Sequence, residues 1–452
     1  EKYSSTTRAP EPQTGADWHT HRLTPTTLGV ARPMVRLRLH PSFGVCLRDQ
    51  EQRWVSLEQA LAAKAAALSA AEEEIKTSAG SVVALLACSP AVLEAATELA
   101  AAASASCVVE SGFVLPFQPR SFRDAGSYVQ HMSQAVRGFV AVAGKEGHLL
   151  QMALSQIGKS LRLPFGVNPA ARPGYYHGNP CTFIADGDEA PWPSTCGWLD
   201  YELEVAVLIT RPVSREATAA EVAAALGGFV LINDFSARDV QADELVSVGF
   251  GFVKCKAAAT AMGLDVVSSD ELWAPGDRGS LFEGRGLRVE VKVNGEAWRG
   301  AGGEQSSTGM ARACSLEALV RYMALDEGLQ PGELIGMGTV PNCCGLEIGR
   351  WLQPGDEVAL SAEGLGTLTN TVGHPPATAQ NFKEVDCGGG APPGRLRTAL
   401  RCALLAVALP PLTFALMVGG ALSALLWRGP AGVLRSPAPT VPAIRRAADK
   451  RR

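Results

Sequence analysis

The stretch WLDYELEVAV, residues 198–207, decides the fold. Its apolar residues alternate, so Tyr201, Leu203, Val205 and Val207 fall on one face, as in a half-buried strand. Glu202 and Glu204 then share the opposite face, about 7 Å apart at the strand rise of roughly 3.3 Å per residue. Two carboxylates that close repel unless a proton or a cation lies between them. An all-oxygen ligand set suits a hard divalent ion, Mg2+, Ca2+ or Mn2+, and not a structural zinc. Asp234 ends a second apolar run, FVLIND (229–234), where a strand mouth presents a third carboxylate to the same ion.

Outward from this strand, residues 113–375 read as short strands separated by Gly/Pro turns. Val293-Asn294-Gly295-Glu296 carries an Asn-Gly hairpin signal. Helices are few here, at 219–226 and 315–323. The predicted class is α+β, with a β-rich core of two packed sheets or one rolled sheet. Upstream, residues 34–56 alternate like two short strands. A helix is expected from Ser56, capped with Gln59, to about Lys76, and a second from Ser89-Pro90 to about residue 104. Residues 34–112 are therefore predicted to form a small N-terminal α+β domain. Residues 1–33 read as a disordered leader, and Glu1 in place of Met points to a start further upstream. Residues 376–401 read as a linker. The 26 residues 402–427 carry no charge, long enough for a membrane-spanning helix, and Arg401 and Arg428 flank them. A basic tail, 428–452, follows.

A net charge of -4, with no basic stripe within 34–375, gives no sign of a nucleic-acid partner, and none is expected. The eleven cysteines include no C-x-x-C, which points to reduced thiols in a cytosol-like compartment. That compartment is compatible with a membrane anchor at 402–427.

Five further stretches join the opening one: PFQPRSFRD with Gln130-His131, RPGYYHGNP (172–180), LINDFSARDVQ (231–241), GMGTV (336–340) and GLEIGRWLQPGDEV (345–358). Together they resemble the fumarylacetoacetate hydrolase (fumarylacetoacetase) family over about residues 34–375. The resemblance implies a mixed β-sandwich roll that is usually dimeric. It implies a divalent ion held by Asp124, Glu202, Glu204 and Asp234. It implies His131 as the catalytic base, seven residues after Asp124, with Glu347 orienting it. A related subclass pairs its His with a Glu three residues later; here that position is Gln134.

The family's Lys-x-x-x-Thr beside its metal matches Lys256 and Thr260, with Lys256 as the donor to an oxyanion. Lys254 is the alternative. Arg137, Tyr176, Gln241 and Thr339 correspond to substrate contacts. The chain departs from the family at Ala259, where a glycine is expected, and at Gly126 and Leu245, where tyrosines are expected. Metal and base look intact while the substrate wall has changed.

The implied reaction is hydrolysis of a carbon–carbon bond in a β-diketo acid, fumarylacetoacetate or an acylpyruvate. A His-activated water attacks one carbonyl while the metal stabilises the departing enolate. Two other readings compete. A keto-acid decarboxylase or isomerase could use the same site. A membrane-tethered, non-catalytic relative would explain the altered wall and the tail, but not the retention of four mutually repelling carboxylates.

Overall fold

The computed structural model describes residues 35–135, 138, 173–245, 251–268, 286–300 and 306–376. Among these, the strands in chain order begin with β1 (Arg36–His40), β2 (Gly44–Arg48), β3 (Trp54–Ser56), β4 (Phe122–Ala125), β5 (Tyr175–Gly178) and β6 (Phe183–Ala185). Next come β7 (Glu189–Ala190), β8 (Leu199–Asp200), β9 (Leu203–Ile209), β10 (Leu226–Asp234), β11 (Ser236–Ala237) and β12 (Thr260–Met262). The last are β13 (Val266–Ser268), β14 (Val289–Val293), β15 (Glu296–Ala297), β16 (Leu334–Gly336), β17 (Glu357–Ala362) and β18 (Gly366–Val372).

The larger sheet runs β3-β2-β1-β13-β10-β9-β16-β4-β5, with β12 and β6 branching from β10. It is mixed: β16 lies parallel to β4 and antiparallel to β9. A second sheet runs β15-β14-β17-β18-β7. β9 and β10 are buried along their whole lengths, because both faces of the larger sheet are covered. Leu203, Val205, Val207 and Ile209 pack with Val291, Val358, Leu360 and Leu368 of the second sheet. Ala206 and Leu208, on the other face, pack with Leu61, Ile75, Leu85 and Leu93 of the N-terminal helices. The expected mixed α+β architecture of packed sheets is therefore present. The Asn-Gly hairpin is present too: Val293 pairs with Glu296, and Asn294 and Gly295 take φ values of 52° and 77°. Positive φ at both turn residues matches the twist of the flanking strands.

Three features of the N-terminal region differ from expectation. Residues 34–56 hold three strands, not two. β1 pairs with β13, so the larger sheet crosses the boundary expected at 112/113. The helix expected from Ser56 to Lys76 is two helices, Leu57–Ala62 and Ala70–Ser78. Ser56 caps the first, accepting from Gln59 N. Ser69 opens the second with a full capping box, accepting from Glu72 N while Glu72 Oε2 accepts from Ser69 N at 2.8 Å. The alanine-rich sequence allows one long helix, but this reciprocal cap favours a restart. A further short helix, Val82–Ala87, precedes Pro90–Ala101. The expected linker beyond 376, the span at 402–427 and the basic tail lie outside the described residues. Among the described residues, no helix is long and apolar enough to cross a membrane.

Candidate metal and general-base site

Four adjacent strands bring the carboxylates together. In the order β10-β9-β16-β4, Asp234 ends β10, Glu204 lies on β9 opposite Ile232, and Asp124 lies on β4 in register with Gly336. Glu202 sits just before β9, and its carbonyl accepts from Asp234 N at 3.1 Å. One carboxylate oxygen from each of the four residues lies within 4.8 Å of the others, and all four residues are buried. The alternation read from the sequence explains why: Glu202 and Glu204 continue the face of Ala206 and Leu208 to the end of the strand.

Gly336 makes the cluster sterically possible. A Cβ there would stand 2.3 Å from Asp124 Oδ1 and 3.0 Å from Glu204 Oε2. Those same two oxygens are buried and no N–H or hydroxyl donor reaches them, so the two carboxyl groups face each other across a shared proton or a cation. Lone pairs left without a donor at such depth are costly unless a proton or a cation meets them.

The charges around the cluster do not balance. Among the described residues, Asp124, Asp200, Glu202, Glu204 and Asp234 face the buried cations Lys256 and Arg238. Lys256 Nζ contacts Glu202 Oε2 and lies 2.5 Å from Asp234 Oδ2. Arg238 Nη2 lies 2.7 Å from Glu202 Oε1. Burial alone would raise Glu202, but Lys256 and Arg238 hold it below the usual carboxylate range. Burial pushes Asp124 up to about 7. It raises Glu204 well above its ordinary value, with Asp124 adding to the shift. Asp234 is raised by burial despite its contact with Lys256. An all-oxygen, electron-rich set with two unmatched oxygens fits a hard divalent cation.

The expected base and its partner also meet. Tyr128 anchors the start of the helix that opens at residue 129, donating from its hydroxyl to Thr308 O at 2.9 Å. His131 Nδ1 then lies 3.1 Å from Glu347 Oε1, across 216 residues of sequence. An Nδ1–H donated to that carboxylate leaves Nε2 free to accept a proton. Gln134 is turned elsewhere, donating to Asn342 Oδ1 at 2.8 Å.

Burial separates the two lysines: Lys256 points into the carboxylates, whereas Lys254 is exposed. Both line an open cavity of about 510 Å³, together with Tyr176, Asn179 and Phe252. Lys256 Nζ has three N–H groups, two of them directed at carboxylates, which leaves one for a ligand. Thr260 pairs with Asp234 across β12–β10, and its Oγ1 lies 3.4 Å from Asp234 Oδ1.

The residues expected to touch substrate are engaged within the site. Tyr176 donates its hydroxyl to Asp234 Oδ2 at 2.6 Å, and Thr339 donates to Glu204 Oε1 at 3.1 Å. Gln241 Oε1 accepts from Arg238 Nη1 at 2.8 Å, so Gln241 buttresses Arg238. Nearby buried carboxylates and a buried guanidinium claim these polar groups first. Arg137 lies outside the described residues.

Two residues went unassigned by the sequence reading. Arg238 reaches Asp200 Oδ2 through Nε at 2.7 Å while holding Glu202. Asp200 accepts from the backbone N–H groups of Gly345 and Leu346 at 2.6 and 2.9 Å, at the start of the turn that carries Glu347. Both stand inside the motifs quoted above, but an ion pair 38 residues apart has no local signature.

The fold and site are those of a mixed β-sheet protein with a buried carboxylate cluster and a histidine–glutamate pair beside it. The comparisons give its family. The family model of the fumarylacetoacetate (FAA) hydrolase C-terminal domain matches residues 146–373. Asp124 and His131 stand upstream of the matched segment. The chain belongs to the fumarylacetoacetate hydrolase family. It is similar to a fumarylacetoacetate hydrolase from the psychrophilic Exiguobacterium antarcticum, with a TM-score of 0.50 at 17% identity, covering 75% of this chain and 99% of that one. It is 25% identical over 226 residues to a 4-hydroxyphenylacetate degradation bifunctional isomerase/decarboxylase from Salmonella dublin, covering 50% of this chain and 47% of that protein. It is 29% identical over 191 residues to an uncharacterized protein of Staphylococcus epidermidis, covering 41% of this chain and 57% of that protein. The chain thus spans about half the length of these curated relatives.

Proposed function

We propose that the chain is a divalent-metal-dependent hydrolase that cleaves a carbon–carbon bond in a β-diketo acid of the acylpyruvate type. The observation that carries this reading is the His131–Glu347 pair at 3.1 Å, standing beside the four buried carboxylates. A Mg2+, Mn2+ or Ca2+ ion held by Asp124, Glu202, Glu204 and Asp234 would supply Lewis-acid polarisation of keto-acid oxygens and offset negative charge as the bond breaks.

The chain's own residues do the rest. Glu347 fixes the His131 tautomer so that Nε2 takes a proton from water. The water oxygen attacks the distal carbonyl carbon. The third N–H of Lys256 donates to the oxygen on which charge develops. The carbon–carbon bond then breaks, and the departing carbon takes up a proton, which His131 can return. Tyr176, Thr260 and Thr339 hold the carboxylates in place. The exposed ammonium of Lys254 on the cavity wall suits an anionic substrate.

The bifunctional isomerase/decarboxylase relative supports a second reading, in which the same site decarboxylates or isomerises a keto acid. The His131–Glu347 pair serves either reading, since an oriented imidazole takes a proton from water or from a carbon acid alike. Product analysis of metal-loaded protein with acylpyruvates and with oxaloacetate separates the two. A carboxylic acid plus pyruvate from acylpyruvates supports hydrolysis; carbon dioxide from oxaloacetate alone supports the alternative.

A further inference from the structure

A second group of ligand-type side chains lies beside the carboxylates. A ring nitrogen of His131, the Sγ of Cys344 and a carboxylate oxygen of Glu347 all lie within 4.8 Å of one another. Backbone pairing holds them there. Cys344 forms an antiparallel bridge with Glu202, and Leu203 N donates to Cys343 O at 3.1 Å. The thiol is free and fully buried. The Glu347 side chain has 0% exposure, and its Oε2 has no hydrogen-bond partner. His131 uses only Oε1. The hydrolytic chemistry above makes no use of the thiol.

We infer that His131, Cys344 and Glu347 form a second metal site, selective for a thiophilic divalent ion of the zinc type. A mixed nitrogen, sulfur and oxygen donor set is what tetrahedral Zn2+ takes, and a hard ion such as Mg2+ does not. Tetrahedral bonds of about 2.0–2.3 Å set ligand atoms roughly 3.3–3.8 Å apart, so the three donors close in by about 1.5 Å at most. The unmatched Glu347 Oε2 supplies the carboxylate oxygen, and a water completes the set. Cys344 releases its proton to solvent on binding. An ion here engages His131, so the residue no longer serves as a base. Occupation of this site switches off the activity that the four-carboxylate site supports. That consequence rests on the proposed function; the binding does not.

The test is a Co2+ titration of the full chain saturated with Mg2+, read by absorbance. A thiolate-to-cobalt charge-transfer band in the near ultraviolet is expected for the parent and for Cys343→Ser, and is lost in Cys344→Ser. Zn2+ added afterwards abolishes the band. Turnover is measured with and without Zn2+ for each protein. The Zn2+ concentration for half-inhibition rises by at least about tenfold in Cys344→Ser. Absence of the band in the parent overturns the site, whatever the variants do. An equal band in Cys344→Ser, or in Cys344→Ala should the serine variant not fold, assigns the thiolate elsewhere and also overturns it. A band lost in Cys344→Ser with unchanged Zn2+ inhibition keeps the site but overturns the switch. Loss of catalysis in every protein, with the band intact, would count against the proposed function alone.

Discussion

Arg238 and Asp200 form a buried ion pair, 2.7 Å from Nε to Oδ2, that ties the two halves of the site together. Through Nη2 the arginine holds Glu202 of the carboxylate cluster. Through its two oxygens the aspartate holds the backbone of Gly345 and Leu346, and so the turn that aims Glu347 at His131. A side chain that touches neither cation nor substrate in this arrangement can still govern both.

Arg238→Ala should therefore damage more than one function. Removing the guanidinium leaves Asp200 buried without its cation and Glu202 with Lys256 alone, a change of about 3–5 kcal/mol for a broken buried pair. Chemical denaturation should show a loss of that order, and metal affinity should fall with it. A variant with parental stability and parental metal content would show that the pair contributes to neither.

Gly336→Ala tests the space that the cluster needs. The added Cβ falls 2.3 Å from Asp124 Oδ1, so Asp124 must move or the strand must shift. The fold should survive, since the change is one methyl group, but divalent-ion affinity should drop by about 10–100-fold. Calorimetric titration of parent and variant with Mn2+ checks this. Equal dissociation constants would mean that the ion does not use Asp124.

The pH dependence has a definite sign. Burial holds Asp124 at about 7 and Glu204 above its ordinary value, whereas an unfolded aspartate titrates near 3.9. A folded-state pKa above the unfolded one gives stability that is full below about pH 4 and lost as pH rises toward 7. Ion-free protein should lose melting temperature across that window, and Asp124→Asn should lose less. Ion uptake requires the same protons to leave, so affinity should weaken as pH falls below about 7 and binding should release protons. Thermal melts in chelator and calorimetry in two buffers read both effects. A parent and Asp124→Asn with identical pH slopes would remove Asp124 from the titration.

His131→Ala should lower turnover by about 10²–10⁴-fold with little change in metal content. Glu347→Gln, which keeps the shape but weakens the orienting charge, should lower turnover less. Steady-state kinetics with metal analysis on the same preparations checks the pair. Parental turnover in His131→Ala would exclude the residue from the reaction.

The strand at Glu202 and Glu204 was legible from its period alone, because alternation assigns faces without knowledge of the fold. The Asn294-Gly295 hairpin was legible for a similar reason, since its turn chemistry is local. The meeting of His131 with Glu347 was not readable from spacing, and only the family resemblance linked two residues 216 apart. The Arg238–Asp200 pair was missed because a buried ion pair leaves no periodic trace. The break between Ala62 and Ala70 was missed because helix propensity is uniform through that alanine-rich run. Its one local signal was Ser69 with Glu72, a weaker mark than the run around it. Tyr176, Gln241 and Thr339 were found as residues, but the proximity of buried charges, invisible in sequence, sets what they touch.

The central claim is that one carboxylate cluster binds the ion on which carbon–carbon bond hydrolysis depends. It is tested most directly by measuring ion content and acylpyruvate hydrolysis in the parent and in Glu202→Gln with Glu204→Gln. The account predicts a single bound divalent ion and hydrolysis in the parent, with both lost in the double variant while its circular dichroism remains that of the parent. A double variant that keeps the same bound ion and the same rate would contradict it.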